Sequence, residues 1–374
     1  MDKAFKLLIP LIRATINGEK TDLSYSQEDF ESVFKLAVKH DIAQIVSYAV
    51  IDNEEIAKTA RKYMFDASYR DTKNTYTYGL ACDILNKNKI QFVPLKGMIL
   101  KDLYPESFMR TNCDIDILVH KSDFDKAVKV LSDGGFTQSG DLRFHDVSLL
   151  YDNTNLELHF SICEGINSID SVLSRVWENT APAENFKYLQ TREFFVFHHI
   201  AHMAYHFLSG GCGIRPFIDL WIMQKNNYFD GQRVNEFCKE AGLCKFYEAV
   251  MQTVDFWFKN GEQTKTTERI TDYVLKGGVY GNYGNKAAAR TAKKGGKIKN
   301  LLSSAFPRYE YMKTPYPILG KYPILLPLCY VSRLFSNTFG KKSDKAIKKY
   351  RIIKKQDSGF VENVSELLKE LELN

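Results

Sequence analysis

The chain has no cysteine pattern that builds anything. Its seven cysteines, Cys82, Cys113, Cys163, Cys212, Cys238, Cys244 and Cys329, are odd in number, widely spaced and contain no C-x-x-C pair. That argues against a disulfide framework or a zinc ribbon and for a reducing cytoplasm. A long apolar run is also missing. The longest uncharged apolar stretch, Tyr322 to Val331, is interrupted by Pro323 and Pro327 and falls far below the roughly 18 residues a spanning helix needs. The N-terminal apolar run Leu7 to Ile12 is too short for a signal peptide and no small-residue cleavage site follows. MDKAFKLLIPLIRA therefore reads as a helix of the folded protein, and a cytoplasmic location is expected, with peripheral contact to a membrane as one option. Acids are scarce in one region: from Lys286 to Lys355, eighteen Lys or Arg stand against only Glu310 and Asp344. With +6 for the whole chain, the rest carries −10. An acidic body with a basic C-terminal region suits a polyanion, either nucleic acid or an anionic membrane surface.

What is present is ordinary globular material: 374 residues, 44% hydrophobic and 26% charged, enough for two or three domains. Residues 26–50 place Phe30, Val33, Phe34, Ala37 and Val38 at helical spacing behind a capping pair, Ser26 and Asp29. A helical N-terminal domain over 1–87 is expected. At Lys89 the grammar changes: Ile90 to Leu95 reads as a strand, Lys96-Gly97 as a turn, MILKDLY as a short helix and CDIDILV as a second strand. KSDFDKAVKVLSDGGF follows as a helix, capped by Ser122 or Asp123 and stopped at Gly134. DVSLLY and NLELHFSI flank a DNT turn and alternate as a hairpin should. This α/β core is assigned to 88–180 and a helical domain to 181–276, with Pro216 at a helix start. Residues 277–299 read as a flexible basic linker and 300–374 as a basic, aromatic region ending in a helix that aligns Val364, Leu367, Leu368 and Leu371.

Asp114 and Asp116 are the chemical oddity. With 45 acids in the chain, acidic pairs two apart arise about five times by chance, so D-x-D alone reads as two solvent-facing aspartates. Here the pair lies in CDIDILV, where alternation puts both carboxylates on one face and Ile115, Ile117 and Val119 on the other. Two like charges repel, and burying them without partners costs several kcal/mol; a divalent cation would offset both. Glu157 and His159 share one face of a strand downstream, so a third carboxylate is within reach. Upstream, Lys96-Gly97 ends a strand and opens a helix, where bare amides and a residue without Cβ can approach a phosphate. Together these form a phosphoryl-transfer constellation: a phosphate cradle, paired metal ligands and a third carboxylate.

The order Lys-Gly, helix, Tyr-Pro, Arg and D-x-D in LKGMILKDLYPESFMRTNCDIDILV resembles the uncharacterised nucleotidyltransferase-like family of the DNA polymerase beta superfamily. The resemblance extends to LAVKHDIAQIV, NLELHF, HMAYHFLSGGCGIRPFIDLW and YPILGKYPILLPLCYVSRLF, most of the chain. One departure is that Lys96-Gly97-Met98 stands where the superfamily has Gly-Ser. The resemblance implies an α+β fold, a polymerase-beta-type core of mixed β-sheet with flanking helices, embedded between helical N- and C-terminal domains. It implies Asp114 and Asp116 as holders of Mg²⁺ (or Mn²⁺), and Glu157 as third ligand or general base. An acceptor hydroxyl would attack the α-phosphorus of a nucleoside triphosphate as pyrophosphate leaves. Lys96, Gly97 and Arg110 become candidates for the phosphates; Lys96 and Arg110 each also read as solvated surface cations.

His198, His199, His202 and His206 crowd one helix, but without H-E-x-x-H or a nearby carboxylate an amphipathic helix with hydrogen-bonded histidines outweighs zinc, which is not expected. In keeping with the resemblance, His202, His206, Arg215 and Asp219 are assigned to the nucleotide or acceptor side of the cleft, Asp219 with the option of only orienting Arg215. The region from Phe306 to Lys355 interleaves Tyr and Phe with Lys and Arg, suiting a solvated basic face, a membrane surface or RNA. The expected activity is NMP transfer to a small metabolite, glycan precursor, protein or tRNA. The alternatives are a catalytically inactive nucleotide-binding regulatory module or a D-x-D glycosyltransferase. The latter needs a larger α/β domain before the motif, where this sequence reads helical.

Overall fold

Apolar residues at three- and four-residue spacing build the N-terminal helices. α1 (Lys3–Asn17) starts at Asp2, whose carboxylate accepts from the Ala4 and Phe5 amides, and ends at Gly18 in the left-handed region. α2 (Gln27–Lys39) starts at Ser26, whose hydroxyl accepts from the Asp29 amide at 3.2 Å. α3 (Ala43–Ala49) and the long α4 (Glu54–Lys87) follow. The computed structural model describes residues 2–19, 26–51, 54–140, 145–279, 281–339, 353 and 357–373. They fall into two units, Met1–Tyr205 with Gly213–Thr271, and His206–Cys212 with Asp272–Asn374.

The first unit contains a mixed sheet. Its elements are β1 (Phe92–Pro94), α5 (Gly97–Leu100), β2 (Asp114–Val119), α6 (Phe124–Asp133), β3 (Thr137–Gln138), β4 (Asp146–Tyr151) and β5 (Thr154–His159), then α7 (Asn167–Leu173), β6 (Thr180–Glu184) and β7 (Lys187–Gln190). The seven strands lie in the order β3-β4-β5-β2-β1-β7-β6, with β2 antiparallel to β1 and parallel to β5. The β4–β5 hairpin turns on Asp152 and Asn153, at φ 44° and 60°, the left-handed two-residue turn that matches strand twist. Ile115, Ile117 and Val119 of β2 and Leu156 and Leu158 of β5 join Ala81 and Leu85 of α4 and Ala127 and Leu131 of α6 in one buried core. That apolar face leaves the alternate side chains of β2 and β5 on the opposite face. The sheet continues past residue 180, the expected end of the core, because β7 pairs parallel to β1 through Lys187 and Phe92.

α8 (Arg192–Ser209), α9 (Arg215–Lys225), α10 (Gly231–Ala241) and α11 (Cys244–Phe258) follow. Trp257 of α11 meets Phe5 of α1 at 5.2 Å and Phe217 of α9 at 4.5 Å between ring centroids, so helices from before and after the sheet share an aromatic core. α12 (Lys265–Gly277) leads into the second unit, which holds α13 (Tyr283–Lys293), α14 (Lys297–Ala305), α15 (Tyr309–Lys313), α16 (Leu326–Phe339) and a terminal helix, Ser358–Glu370. The stretch 277–299, expected as a flexible linker, thus contains all of α13. Asn282 caps that helix by accepting from the Asn285 amide at 2.7 Å, and Ala288 and Ala289 are buried. Alanine favours helix strongly enough to outweigh the flanking glycines. Much of the basic C-terminal stretch, 340–352 and 354–356, lies outside the described residues. Among those described, no helix is long and apolar enough to cross a membrane.

Candidate active site on the polar face of the sheet

The parallel register of β2 and β5 sets Asp114 opposite Asn155 and Asp116 opposite Glu157. All four side chains stand on the face away from the core. His159, two residues beyond Glu157, shares it: one ligand atom each from Asp116, Glu157 and His159 lies within 4.8 Å of the others. His159 Nε2 is 2.9 Å from Asp116 Oδ1 and 3.9 Å from Glu157 Oε2. His159 Nδ1 is buried without a hydrogen-bond partner among the described residues, a cost of roughly 1–3 kcal/mol. Asp114, expected with Asp116 and Glu157, stands beside this trio on the same strand, where the Asp116 charge acts on it.

The two aspartates titrate in opposite directions. Burial, and then the neighbouring Asp116 charge, push the Asp114 carboxyl up to about 6. Burial would raise Asp116 as well, but Lys96 and the hydrogen bond from His159 outweigh it and hold Asp116 well below the usual carboxylate range. Lys96 Nζ sits 3.6 Å from Asp116 Oδ1. Burial works against its charge, yet Asp116, Asp114, Glu164 and Glu157 together raise its pKa. The backbone delivers this ammonium: the Leu95 amide donates to the Asp116 carbonyl at 3.0 Å. Lys96 then turns with φ 45°, a left-handed conformation rare for a lysine, before α5 begins. Such strain costs of order 1–3 kcal/mol and gathers at functional sites.

Gly97, expected to bring bare backbone to a phosphate, has a different neighbour. A Cβ there would lie 1.8 Å from Oδ1 of Asn112, so the room left by the missing side chain is taken by Asn112. Asn112 in turn accepts from Arg110 Nη1 at 2.7 Å, and its carbonyl accepts from Asn74 Nδ2 at 3.0 Å. Arg110 is buried, and its Nε donates to Asp219 Oδ1 at 2.8 Å, an atom that also accepts from the Tyr104 hydroxyl at 2.6 Å. Burial disfavours both charges, but each holds the other ionised: Asp219 is lowered by Arg110, and Arg110 is raised by Asp219. Asp219 therefore pairs with Arg110. Arg215, the partner expected for it, donates instead to Asp41 Oδ2 at 2.6 Å and to the Thr111 carbonyl at 3.0 Å. These contacts converge on residues 110–112, the segment that feeds Asp114 into β2. Arg110 and Asp219 thus brace the site, while half-buried Arg215 adds a cation whose field acts on Asp114.

The histidines divide. His198 is buried beside Gln190, and burial drops it to about 3, so it is neutral. His199 sits with Nε2 3.1 Å from the Pro216 carbonyl. His202 pairs through Nδ1 with Glu164 Oε1 at 2.6 Å and adds to the positive field at Asp116. His206 opens the second unit, where its carbonyl accepts from the Gly211 amide at 2.8 Å. An open cavity of about 500 Å³ borders the start of β2 and β5, lined by Tyr69, Arg70, Lys73, Asn74, Cys113 and Thr154 among others.

The profile of a family described as uncharacterised nucleotidyltransferase matches residues 26–259. The chain belongs to that family. Comparison with curated proteins and with solved structures returned no match. The nucleotidyltransferase match spans every residue of the candidate site, from Asp41 to Asp219, and ends before α12. The carboxylate oxygens of Asp116 and Glu157, with Asp114 adjacent, suit a hard divalent cation; His159 steadies Asp116 in the way an outer partner orients a metal-binding carboxylate. Sequence reasoning left His159 without a role and passed over Glu164. The E-x-H spacing of NLELHF was the available signal for the first; nothing local marked the second, whose partner lies 38 residues away.

Proposed function

We propose that the chain is a Mg²⁺-dependent nucleotidyltransferase that moves a nucleoside monophosphate from a nucleoside triphosphate to a hydroxyl acceptor. The observation that carries this reading is the register that sets Asp116 against Glu157 in adjacent parallel strands, with Lys96 3.6 Å from Asp116. Asp114, Asp116 and Glu157 would hold Mg²⁺, or Mn²⁺ in its place; when bound, the ion would screen triphosphate charge and acidify the acceptor hydroxyl. Asp116 is kept ionised by Lys96 and His159 and so stays ready for a cation near neutral pH. Lys96 has an ammonium to offer a phosphate oxygen once the carboxylates are neutralised. The acceptor oxygen bonds to the α-phosphorus, the bond to the β-phosphate oxygen breaks, and pyrophosphate leaves with its electron pair. Glu157, less buried than Asp116, takes the acceptor proton as general base. His202 with Glu164, and Arg215, supply charge at the margin of the same face. The acceptor class is a small metabolite, glycan precursor, protein side chain or tRNA.

Incubation of the full chain with each α-labelled nucleoside triphosphate, Mg²⁺ and a fractionated cell extract tests the reading. Label should move into one fraction, and Asp116→Ala should abolish transfer while the circular dichroism spectrum stays unchanged. Glu157→Gln should depress turnover more than triphosphate affinity. Retained transfer by Asp116→Ala would sink the assignment. Triphosphate binding with no label transferred into any fraction would support the regulatory module instead.

A further inference from the structure

The second unit displays apolar side chains that a folded domain normally hides. Among the described residues, twelve of the eighteen exposed large hydrophobics lie between Tyr283 and Phe335. Ile324, Leu328, Val331 and Phe335 are 86%, 66%, 52% and 64% exposed, and their spacing of four, three and four residues is one face of a helix. This is not a core left open. The other side of α16 already has its core, where Cys329 packs with buried Met312 and Leu319 and with Leu326 and Tyr330. α16 is therefore apolar on two sides, one packed against this core and one largely exposed. Ile298, Leu302 and Ile318 add further exposed aliphatic groups.

The stretch of sequence that carries this face is charged almost wholly with one sign. From Lys286 to Phe339 the sequence carries ten Lys or Arg and a single acid, Glu310, and Glu310 is already paired with Lys313 at 3.0 Å. The following residues to Lys355 add eight more basic groups and one acid. We propose that the outer face of α16, with Ile324 ahead of it, lies in the interface of an anionic lipid bilayer while the surrounding lysines and arginines meet the headgroups. Aliphatic side chains lower their free energy by leaving water for the acyl boundary, and basic groups are drawn to an anionic surface; the two together give an attachment neither gives alone. RNA would use the charge but not Ile324, Leu328 and Val331, which neither stack on bases nor hydrogen-bond. A second copy would cover the apolar face but bring two surfaces of like charge together. This inference is independent of the nucleotidyl-transfer reading.

The test is co-sedimentation of the full-length protein with sucrose-loaded vesicles of phosphatidylcholine alone and of phosphatidylcholine mixed with phosphatidylglycerol. The protein should pellet with the mixed vesicles and at least about tenfold less with the neutral ones. Leu328→Asp with Val331→Asp, both exposed positions on the outer face, should lower retention at least about tenfold with unchanged circular dichroism. Lys321→Glu with Arg308→Glu should weaken retention mainly at low salt. Absence of pelleting with either vesicle overturns the proposal, as does equal retention of the Asp double variant. It is also overturned if that variant instead converts a dimer to a monomer, or if the protein ignores vesicles and retains single-stranded RNA.

Discussion

Asp114→Asn separates the electrostatic cost of the site from its use. Burial and Asp116 move the Asp114 carboxyl from 3.8 to about 6, and each pKa unit corresponds to about 1.4 kcal/mol. The full shift is worth roughly 3 kcal/mol, and partial exposure to solvent reduces this to about 1–2 kcal/mol. The folded state holds the proton more tightly than the unfolded state, so the favourable contribution is complete below about pH 4 and is lost as pH rises to about 6. Above that window the wild-type protein carries the cost of a buried charge beside Asp116, whereas asparagine has no proton to lose. In thermal unfolding with EDTA, Asp114→Asn should melt about 2–5 °C above wild type near pH 8, and the gap should close near pH 4. Adding Mg²⁺ or Mn²⁺ near pH 8 should raise the wild-type midpoint more than that of the variant, reversing the order if binding is tight. A variant that melts with or below wild type in EDTA near pH 8, or a gap that does not change with pH, would refute the reasoning.

Two further outcomes test the support beneath the site. Asp219→Ala leaves buried Arg110 and the Tyr104 hydroxyl without their shared acceptor and should destabilise the protein by about 3–5 kcal/mol; urea unfolding within about 1 kcal/mol of wild type would show that the pair is energetically idle. Gly97→Ala forces Asn112 off its place, and with it the hydrogen bond from Arg110 at 2.7 Å, a charged bond worth about 1.5–3 kcal/mol. Adding Asn112→Ala to Gly97→Ala should recover part of the loss, and strictly additive melting shifts would mean the two positions do not collide.

Features decided within a few residues were legible in the sequence. Ser26 caps its helix, Gly134 follows the end of α6, and the Asp152-Asn153 turn joins two alternating strands because side-chain period and turn chemistry are local properties. The two-carboxylate face of β2 follows from the same period. Pairings across the chain were not legible. Arg110 reaches Asp219 over 109 residues and Arg215 reaches Asp41 over 174; nothing local prefers these partners to Arg215 with Asp219. Short strands such as Lys187–Gln190 exist because an edge of β1 was open to them, which a sequence window does not contain. His159 was visible as a face-sharing neighbour of Glu157, but its hydrogen bond to Asp116 depends on the parallel register of β5, a tertiary fact.

The segment from Arg110 to Asn112 is held by Asp41, Asn74, Arg215 and, through Arg110, Asp219. These anchors come from three well-separated parts of the chain, so the position of Asp114 works as a coincidence detector for folding. A nascent chain that ends before Asp219 has both aspartates and Glu157 but lacks the acceptor that fixes Arg110. Freeing α9 would remove Asp219 from Arg110 and Arg215 from the Thr111 carbonyl together, so the segment that leads to Asp114 depends on a helix that begins about a hundred residues later in the chain.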